Sequence, residues 1–156
     1  MPDPHARFGA DLRLLENLER QNDRNRGSDL AIVRRPERGA VDLETLTDDD
    51  NLKQALLLRF LTPAGELALL GHSDYGSRLF ELIGQLNSET NRNRAKLFVL
   101  EALQAEPRVK QVLSVVVTQN RADRTRMDIA VQLKAIDSGT VSNLVFPFFL
   151  DGGIQP

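Results

Sequence analysis

The spacing of apolar residues along the chain changes near residue 108. Before that point apolar residues recur every three or four positions, which is typical of helices packed on one face. Three helices are predicted there. One runs from Asp48 to Leu61, a second is capped by Ser77 and ends near Asn87, and a third starts at Asn87 or Ser88 and ends before Pro107.

After residue 108 the apolar residues alternate with a period of two, which predicts strands over 109–118, 124–136 and 141–150. In the first strand, one face is expected to carry Leu113, Val115 and Val117, and the other Val112 and Val116. The third strand is apolar on both faces, with Leu144, Phe146, Phe148 and Leu150 on one side and Val145 and Phe149 on the other. Pro147 lacks a backbone donor, so this strand is expected at the edge of its sheet.

These patterns predict an α+β fold in which three main helices are followed by a three-stranded antiparallel sheet with an exposed edge strand. An apolar edge strand promotes aggregation unless another chain covers it, so the sheet is expected to meet a partner protein. A chain of 156 residues holds one core. We expect residues 1–28 to form a helix and flexible arm, and residues 29–156 to form the domain.

The composition excludes several classes of function. The net charge of −2 provides no basic field for nucleic acid. The chain has no cysteine for disulfides or thiolate chemistry. It shows neither the basic start of a signal peptide nor an apolar run of the ~20 residues that a membrane helix needs. We therefore expect a protein made in the cytoplasm that neither inserts into a membrane nor binds nucleic acid.

A rigid corner is predicted at Glu106-Pro107-Arg108, because Pro107 ends the helical pattern and pushes Glu106 out of the α region. Taken alone, these residues are also typical of a helix stop with solvated charges. Two turn motifs lie upstream of the corner, at Thr62-Pro63-Ala64-Gly65-Glu66 and at Asp74-Tyr75-Gly76-Ser77.

The order of these segments resembles a known family. It runs through Asp29-Leu30, Asp50-Asn51-Leu52-Lys53-Gln54-Ala55-Leu56, Arg59, Thr62-Pro63-Ala64-Gly65-Glu66-Leu67, Gly71-His72-Ser73-Asp74-Tyr75-Gly76-Ser77-Arg78-Leu79 and Glu106-Pro107-Arg108-Val109. The series is similar to the baseplate wedge and sheath-initiator family of contractile injection machines. That family includes gene-25-type phage tail proteins and their type VI secretion counterparts. The resemblance covers roughly residues 29–133.

The resemblance implies a structural baseplate subunit that links the wedge to the first sheath ring and initiates sheath assembly. It implies that Glu106, Pro107 and Arg108 contact the wedge core bundle. It also implies strand pairing with the sheath at the C-terminal strand, through Val145, Phe146, Phe148 and Phe149. The turn motif that goes with the resemblance comprises Thr62, Pro63, Gly65, Glu66, Tyr75 and Gly76. Implied partners are wedge proteins and the sheath subunit, with tube or hub proteins as further candidates, and the implied location is the assembled baseplate.

Catalysis is the main alternative, because members of this family have carried a lysozyme label. Glycoside hydrolysis needs two carboxyl groups, one with a raised pKa, and Glu66, Asp74 and Glu81 are the candidates. His72, Ser73 and Asp74 contain the residue types of a triad, but neighbours in sequence rarely point at one another. We expect no enzymatic activity, no cofactor and no metal site. A peptidoglycan-cleaving tail lysozyme and a generic α+β adaptor remain as alternatives.

Overall fold

The computed structural model describes residues 8–15, 30–37, 39–136 and 139–152. Within these ranges the chain forms seven strands and two α-helices. In chain order they are β1 (Ala10–Leu12), β2 (Ile32–Arg35), β3 (Ala40–Leu43), β4 (Thr45–Thr47), α1 (Asp48–Leu61), α2 (Glu89–Gln104), β5 (Val109–Gln119), β6 (Arg126–Ala135) and β7 (Val141–Phe149). Two short 3-10 helices, Ala68–Leu70 and Arg78–Leu82, lie between α1 and α2. No helix in these ranges is long and apolar enough to cross a membrane.

The predicted fold class, three main helices followed by one sheet, is wrong. The chain has a mixed α+β fold in which the strands form three small sheets, β1 with β4, β2 with β3, and β5-β6-β7, and the helices lie before and between them. The predicted second helix is only the 3-10 helix Arg78–Leu82. It ends because Ile83 is extended and Gly84 takes a positive φ of 82° while its N–H bonds to Leu150 O at 2.6 Å.

The described N-terminal residues form a strand where a helix was expected. β1 pairs antiparallel with β4, and polar side chains of α1 hold the neighbouring backbone. Gln54 Oε1 accepts from Leu14 N at 2.8 Å, Gln54 Nε2 donates to Leu12 O at 2.8 Å, and Asn51 Nδ2 donates to Phe8 O at 2.7 Å. These contacts fix an extended backbone, so tertiary bonding overrides the local helical spacing. The rest of the predicted helix lies outside the described residues, and the domain boundary at residue 28 stays a prediction.

The two α-helices follow from local sequence. Asp48, Asp49 and Asp50 occupy the first turn of α1, where the helix dipole favours acids. Ser88 caps α2 by accepting from Asn91 N at 3.2 Å, as predicted. Both helices place their apolar residues in the core: Leu52, Leu56, Leu57 and Phe60 from α1, and Ala95, Phe98, Val99, Ala102 and Leu103 from α2.

The antiparallel sheet β5-β6-β7 supplies the other side of the core, with β6 at its centre. Phe146 of β7 stacks on Phe60 of α1 with ring centroids 4.9 Å apart. The predicted faces of β5 are partly wrong. The register shifts between Val112 and Ser114, which leaves Leu113 at 41% exposure and turns Val112 toward the core.

The two turn motifs upstream of α2 pair with each other. Ser77 N donates to Thr62 O at 2.8 Å, Ala64 N donates to Ser77 O at 3.0 Å, and Gly65 N donates to Tyr75 O at 3.3 Å. Gly76 lies against this contact with φ +109°, and a Cβ there would sit 2.6 Å from Pro63 O. Only glycine fits this close approach of two backbones. Glu66, the last residue of the first motif, is exposed on the turn.

We predict that Gly76→Ala destabilises the protein by about 3 kcal/mol, because it combines positive-φ strain with a backbone clash. Gly71→Ala is the matched control, since Gly71 has φ +86° and no neighbouring atom within 4 Å of a Cβ. The control should lose only about 1 kcal/mol. Urea unfolding followed by circular dichroism measures both. Equal losses in the two variants would show that the contact with Pro63 does not require glycine.

Candidate functional site

The predicted corner after α2 is closed by an ion pair between its own two charges. Arg108 Nε donates to Glu106 Oε1 at 2.6 Å, and Arg108 N donates to the same oxygen at 3.3 Å. The backbone bonds Glu106 N to Leu103 O at 3.2 Å and Val109 N to Glu106 O at 3.0 Å fix the change of direction. Glu106 is only 6% exposed, whereas Pro107 is exposed and the Arg108 side chain is 25% exposed.

A second arginine, which the sequence analysis named only within the resemblance and gave no role, reaches the same carboxylate. Arg59 Nη2 of α1 lies 3.7 Å from Glu106 Oε2, and the Arg59 guanidinium lies 4.7 Å from the centre of the Tyr75 ring. We call Arg59, Tyr75, Glu106 and Arg108 the corner cluster. A single arginine among helical leucines carries no local signal of its role, so only the fold reveals it.

The corner cluster also holds the N-terminal segment. Phe8 O accepts from Arg108 Nη1 at 3.4 Å and from Asn51 Nδ2 at 2.7 Å. The Phe8 side chain is itself buried in the core. The cluster therefore connects α1, the end of α2 and the segment before β1.

The charges of the corner cluster determine its ionisation. Burial opposes the charged form of Glu106, but the hydrogen bond and charge of Arg108, together with the charge of Arg59, outweigh it and lower the Glu106 pKa below its ordinary value. Burial raises the pKa of the Tyr75 hydroxyl against the opposing charge of Arg59. At neutral pH the cluster therefore holds an ionised carboxylate, a neutral phenol and two guanidinium groups.

The C-terminal strand lies at a sheet edge, as its proline predicts. β7 pairs with β6 on one side, and no described strand pairs with its other side. Phe146 and Phe148 point into the core, at 0% and 7% exposure. Val145 and Phe149 are half-buried on the opposite face, where the Arg126 guanidinium lies 5.9 Å from the Phe149 ring centre. A partner strand would therefore meet the backbone of β7, together with Val145 and Phe149.

An apolar groove of about 260 Å³ runs beside this edge. We call it the edge groove, and its lining includes Leu61, Phe80, Ile83, Pro147, Phe148 and Phe149. Leu61, Phe80 and Ile83 are 49%, 41% and 48% exposed. Leu61 and Ile83 are exposed because α1 ends at Leu61 and the predicted second helix is only the 3-10 helix Arg78–Leu82.

The candidate catalytic carboxylates are not arranged as an acid and base pair. Glu66 and Asp74 are exposed. Glu81 pairs with Arg78 at 2.8 Å and Arg94 at 3.6 Å, and the hydrogen bond from Arg78 lowers the Glu81 pKa, opposite to what a general acid needs. Ser73 Oγ donates to Asp74 Oδ1 at 3.2 Å, and His72 is exposed. In the part of the chain that is described, no group of three histidine or carboxylate side chains could hold a metal.

No protein-family model and no curated protein matches the chain. Among solved structures, it is similar to a protein from Geobacter sulfurreducens described as a "putative tail lysozyme", with 26% sequence identity and a TM-score of 0.54. The similarity covers 62% of this chain and 85% of that chain. It relates the fold to that of a phage-tail-related protein. Membership in the baseplate wedge family remains a prediction.

We predict that Glu106→Gln lowers the free energy of unfolding by about 3 kcal/mol at neutral pH, because it leaves two partly buried guanidinium groups without their carboxylate. The folded-state pKa of Glu106 lies below its ordinary 4.5, so its stabilisation is fully present above about pH 4.5 and is lost as pH falls through the lowered value. The difference in unfolding free energy between the wild type and Glu106→Gln should therefore decrease at acid pH.

Urea unfolding at about pH 7 and about pH 3 measures this difference. Glu101→Gln is the control, because its carboxylate is 56% exposed and lies 3.8 Å from Arg78. It should cost less than about 0.5 kcal/mol at either pH. A difference for Glu106→Gln that stays constant down to the acid limit would contradict the assigned pKa direction.

Proposed function

We propose that this protein is a non-enzymatic structural subunit of a contractile tail or tail-like injection apparatus. In this proposal it lies in the baseplate, links the wedge to the first sheath ring and initiates sheath assembly. The similarity to a tail protein supports the tail-related part, and the ordered motifs of the sequence support the baseplate part. Its partners are wedge proteins and the sheath subunit.

The observation that carries this proposal is the outer edge of β7, with which no strand of the described residues pairs. An exposed edge strand offers backbone donors and acceptors to a strand from another chain, and side chains at alternate positions select the register. The edge groove beside it adds apolar surface at Leu61, Phe80 and Ile83. Together these features suit an extended apolar segment of a partner, as the strand pairing with the sheath implied by the resemblance would require.

The corner plays a different part in the proposal from the one its sequence suggested. Glu106 is buried and paired within the chain, so its role is to orient Arg108. Pro107 and the exposed part of Arg108 form the outward surface of the corner. We assign the contact with the wedge bundle to this outward surface.

We predict that Val145→Lys prevents sheath nucleation while baseplates still form, because a lysine at a sheet edge blocks the addition of a strand. Val116→Lys is the matched control. Val116, Ala130 and Val145 lie side by side across one face of the sheet, so the two substitutions place the same charge on that face at opposite edges. Val116 is 51% exposed and Val145 is half-buried, so the folding stability of both variants is measured as well. Each variant should lose about 1 kcal/mol or less of folding stability.

The measurement is sheath assembly, seen by electron microscopy, in cells that lack the protein and are complemented with each variant. Failure with Val145→Lys and success with Val116→Lys supports strand addition at β7. Normal sheaths with Val145→Lys would refute it. Baseplates that are missing with both variants would show that the protein acts before sheath assembly.

A tail lysozyme is the second candidate, because the similar Geobacter protein carries that name. The pairing of Glu81 with two arginines disfavours it. We predict that the purified protein causes no loss of turbidity in a peptidoglycan suspension, compared with a buffer blank and an active lysozyme. Activity that disappears in Glu66→Gln or Glu81→Gln would overturn the non-enzymatic proposal.

A generic α+β adaptor is the third alternative. If the protein were such an adaptor, sheath assembly would remain intact when the protein is removed.

A further inference from the structure

The guanidinium of Arg59 is incompletely hydrogen-bonded within the described residues. Its side chain is 10% exposed, and its Nε is buried without a hydrogen-bond partner among the described residues. The 3.7 Å between Nη2 and Glu106 Oε2 is longer than a hydrogen bond. A guanidinium has five N–H donors, and buried donors are normally satisfied. The Nε itself has no contact with solvent, so an acceptor from outside the described chain would bond to the other N–H groups of this guanidinium.

The net charge of the corner cluster also favours the binding of an anion. Arg59 and Arg108 are positive, Glu106 is negative and Tyr75 is neutral, so the cluster has one positive charge in excess. Glu106 accepts its short hydrogen bond from Arg108, at 2.6 Å, whereas Arg59 has only the longer ion pair, at 3.7 Å. A buried charge without a well-placed counter-ion is unfavourable, and arginine suits planar anions that accept two hydrogen bonds.

A cavity of about 470 Å³ leads to this guanidinium. Its lining comprises Arg59, Gly71, His72, Ser73, Asp74, Tyr75 and Ala105. Gly71, with φ +86°, turns the loop that forms one wall. Tyr75 Oη makes no hydrogen bond within the part of the chain that is described, so it is a further donor. The cavity therefore combines one charged donor group, a phenol and open space.

We propose that this cavity binds a carboxylate, supplied by an acidic side chain of a partner protein. A singly charged carboxylate matches the single excess charge of the cluster and the planar fork of Arg59. Phosphate fits less well, because the Asp74 carboxylate also lines the cavity and repels a doubly charged anion more strongly. The cavity is distinct from the β7 edge, and the inference does not rest on the proposed tail function.

The chain contains its own reporter for this site. Tyr75 is its single tyrosine and tryptophan is absent, so intrinsic fluorescence of the full chain reports on Tyr75. Acetate, titrated at constant ionic strength against chloride, is the probe. We expect a saturable change in emission. A blocked peptide with one glutamate should produce the same change, and its glutamine counterpart should not.

Two substitutions with opposite expected effects make the test specific. Arg59→Met should abolish the response, with its fold checked by circular dichroism. Asp74→Asn, at an exposed position, should tighten acetate binding roughly two- to five-fold, because it removes a repelling charge from the cavity wall. The control is Arg78→Met, since Arg78 also covers an aromatic ring, Phe98 at 4.5 Å, but lies outside the cavity. Its acetate affinity should equal that of the wild type.

Each remaining outcome contradicts the proposal. The proposed site is ruled out if acetate produces no saturable change in Tyr75 emission, or if folded Arg59→Met shows the same change as the wild type. It is also ruled out if Asp74→Asn leaves the acetate affinity unchanged. Tighter binding of inorganic phosphate than of acetate would make it a phosphate site. Acetate binding without peptide binding would restrict the cavity to small free anions. Failure of sheath assembly, the test of the proposed function, changes none of these readouts.

Discussion

The arrangement of the helices depends on the ion pairs that the buried Glu106 carboxylate forms with Arg59 and Arg108. The carboxylate lies between Arg108 at 2.6 Å and Arg59 at 3.7 Å, and Arg108 in turn bonds to the carbonyl of Phe8. Three segments that are distant in sequence therefore meet at one charge. Removal of one member of such a buried cluster leaves the others without compensation, which makes the cluster more sensitive than a surface ion pair. The corner after α2 is rigid for this reason as well as for the ring of Pro107.

The corner also determines how the sheet is presented. Val109 N bonds to Glu106 O, and Ile136 N bonds to Arg108 O at 2.9 Å, so the start of β5 and the end of β6 are both attached to it. The corner leads into β5, which is one edge of the sheet, whereas β7 is the other. The two surfaces assigned to partners are therefore associated with opposite edges. The proposed link between wedge and sheath requires such a separation, because it would contact two different neighbours at once.

The sequence predicts best where local pattern and tertiary structure agree. The cap at Ser88, the apolar stripe of α2 and the edge position of β7 all follow from spacing, capping and the chemistry of Pro147. Sequence-based prediction fails where residues distant in the chain determine the local backbone conformation. Gly84 ends the second helix by bonding to Leu150, Gln54 holds the N-terminal segment extended, and a bulge turns Leu113 outward. Arg59 has no local signal at all, because its importance arises only when Glu106 and Tyr75 are brought beside it.

The distribution of charge favours recognition over catalysis. A glycosidase needs one carboxyl group that stays protonated near neutral pH, which requires burial away from cations. In this chain arginines lower the pKa of Glu81 at the surface and of Glu106 in the interior, so both carboxyl groups lose their protons more readily. Among the described residues, the buried side chain with an unsatisfied hydrogen-bonding atom is instead the guanidinium of Arg59, which cannot donate a proton at physiological pH but can hold an anion. An arrangement of this kind fits the proposed structural role better than the proposed alternative of a tail lysozyme.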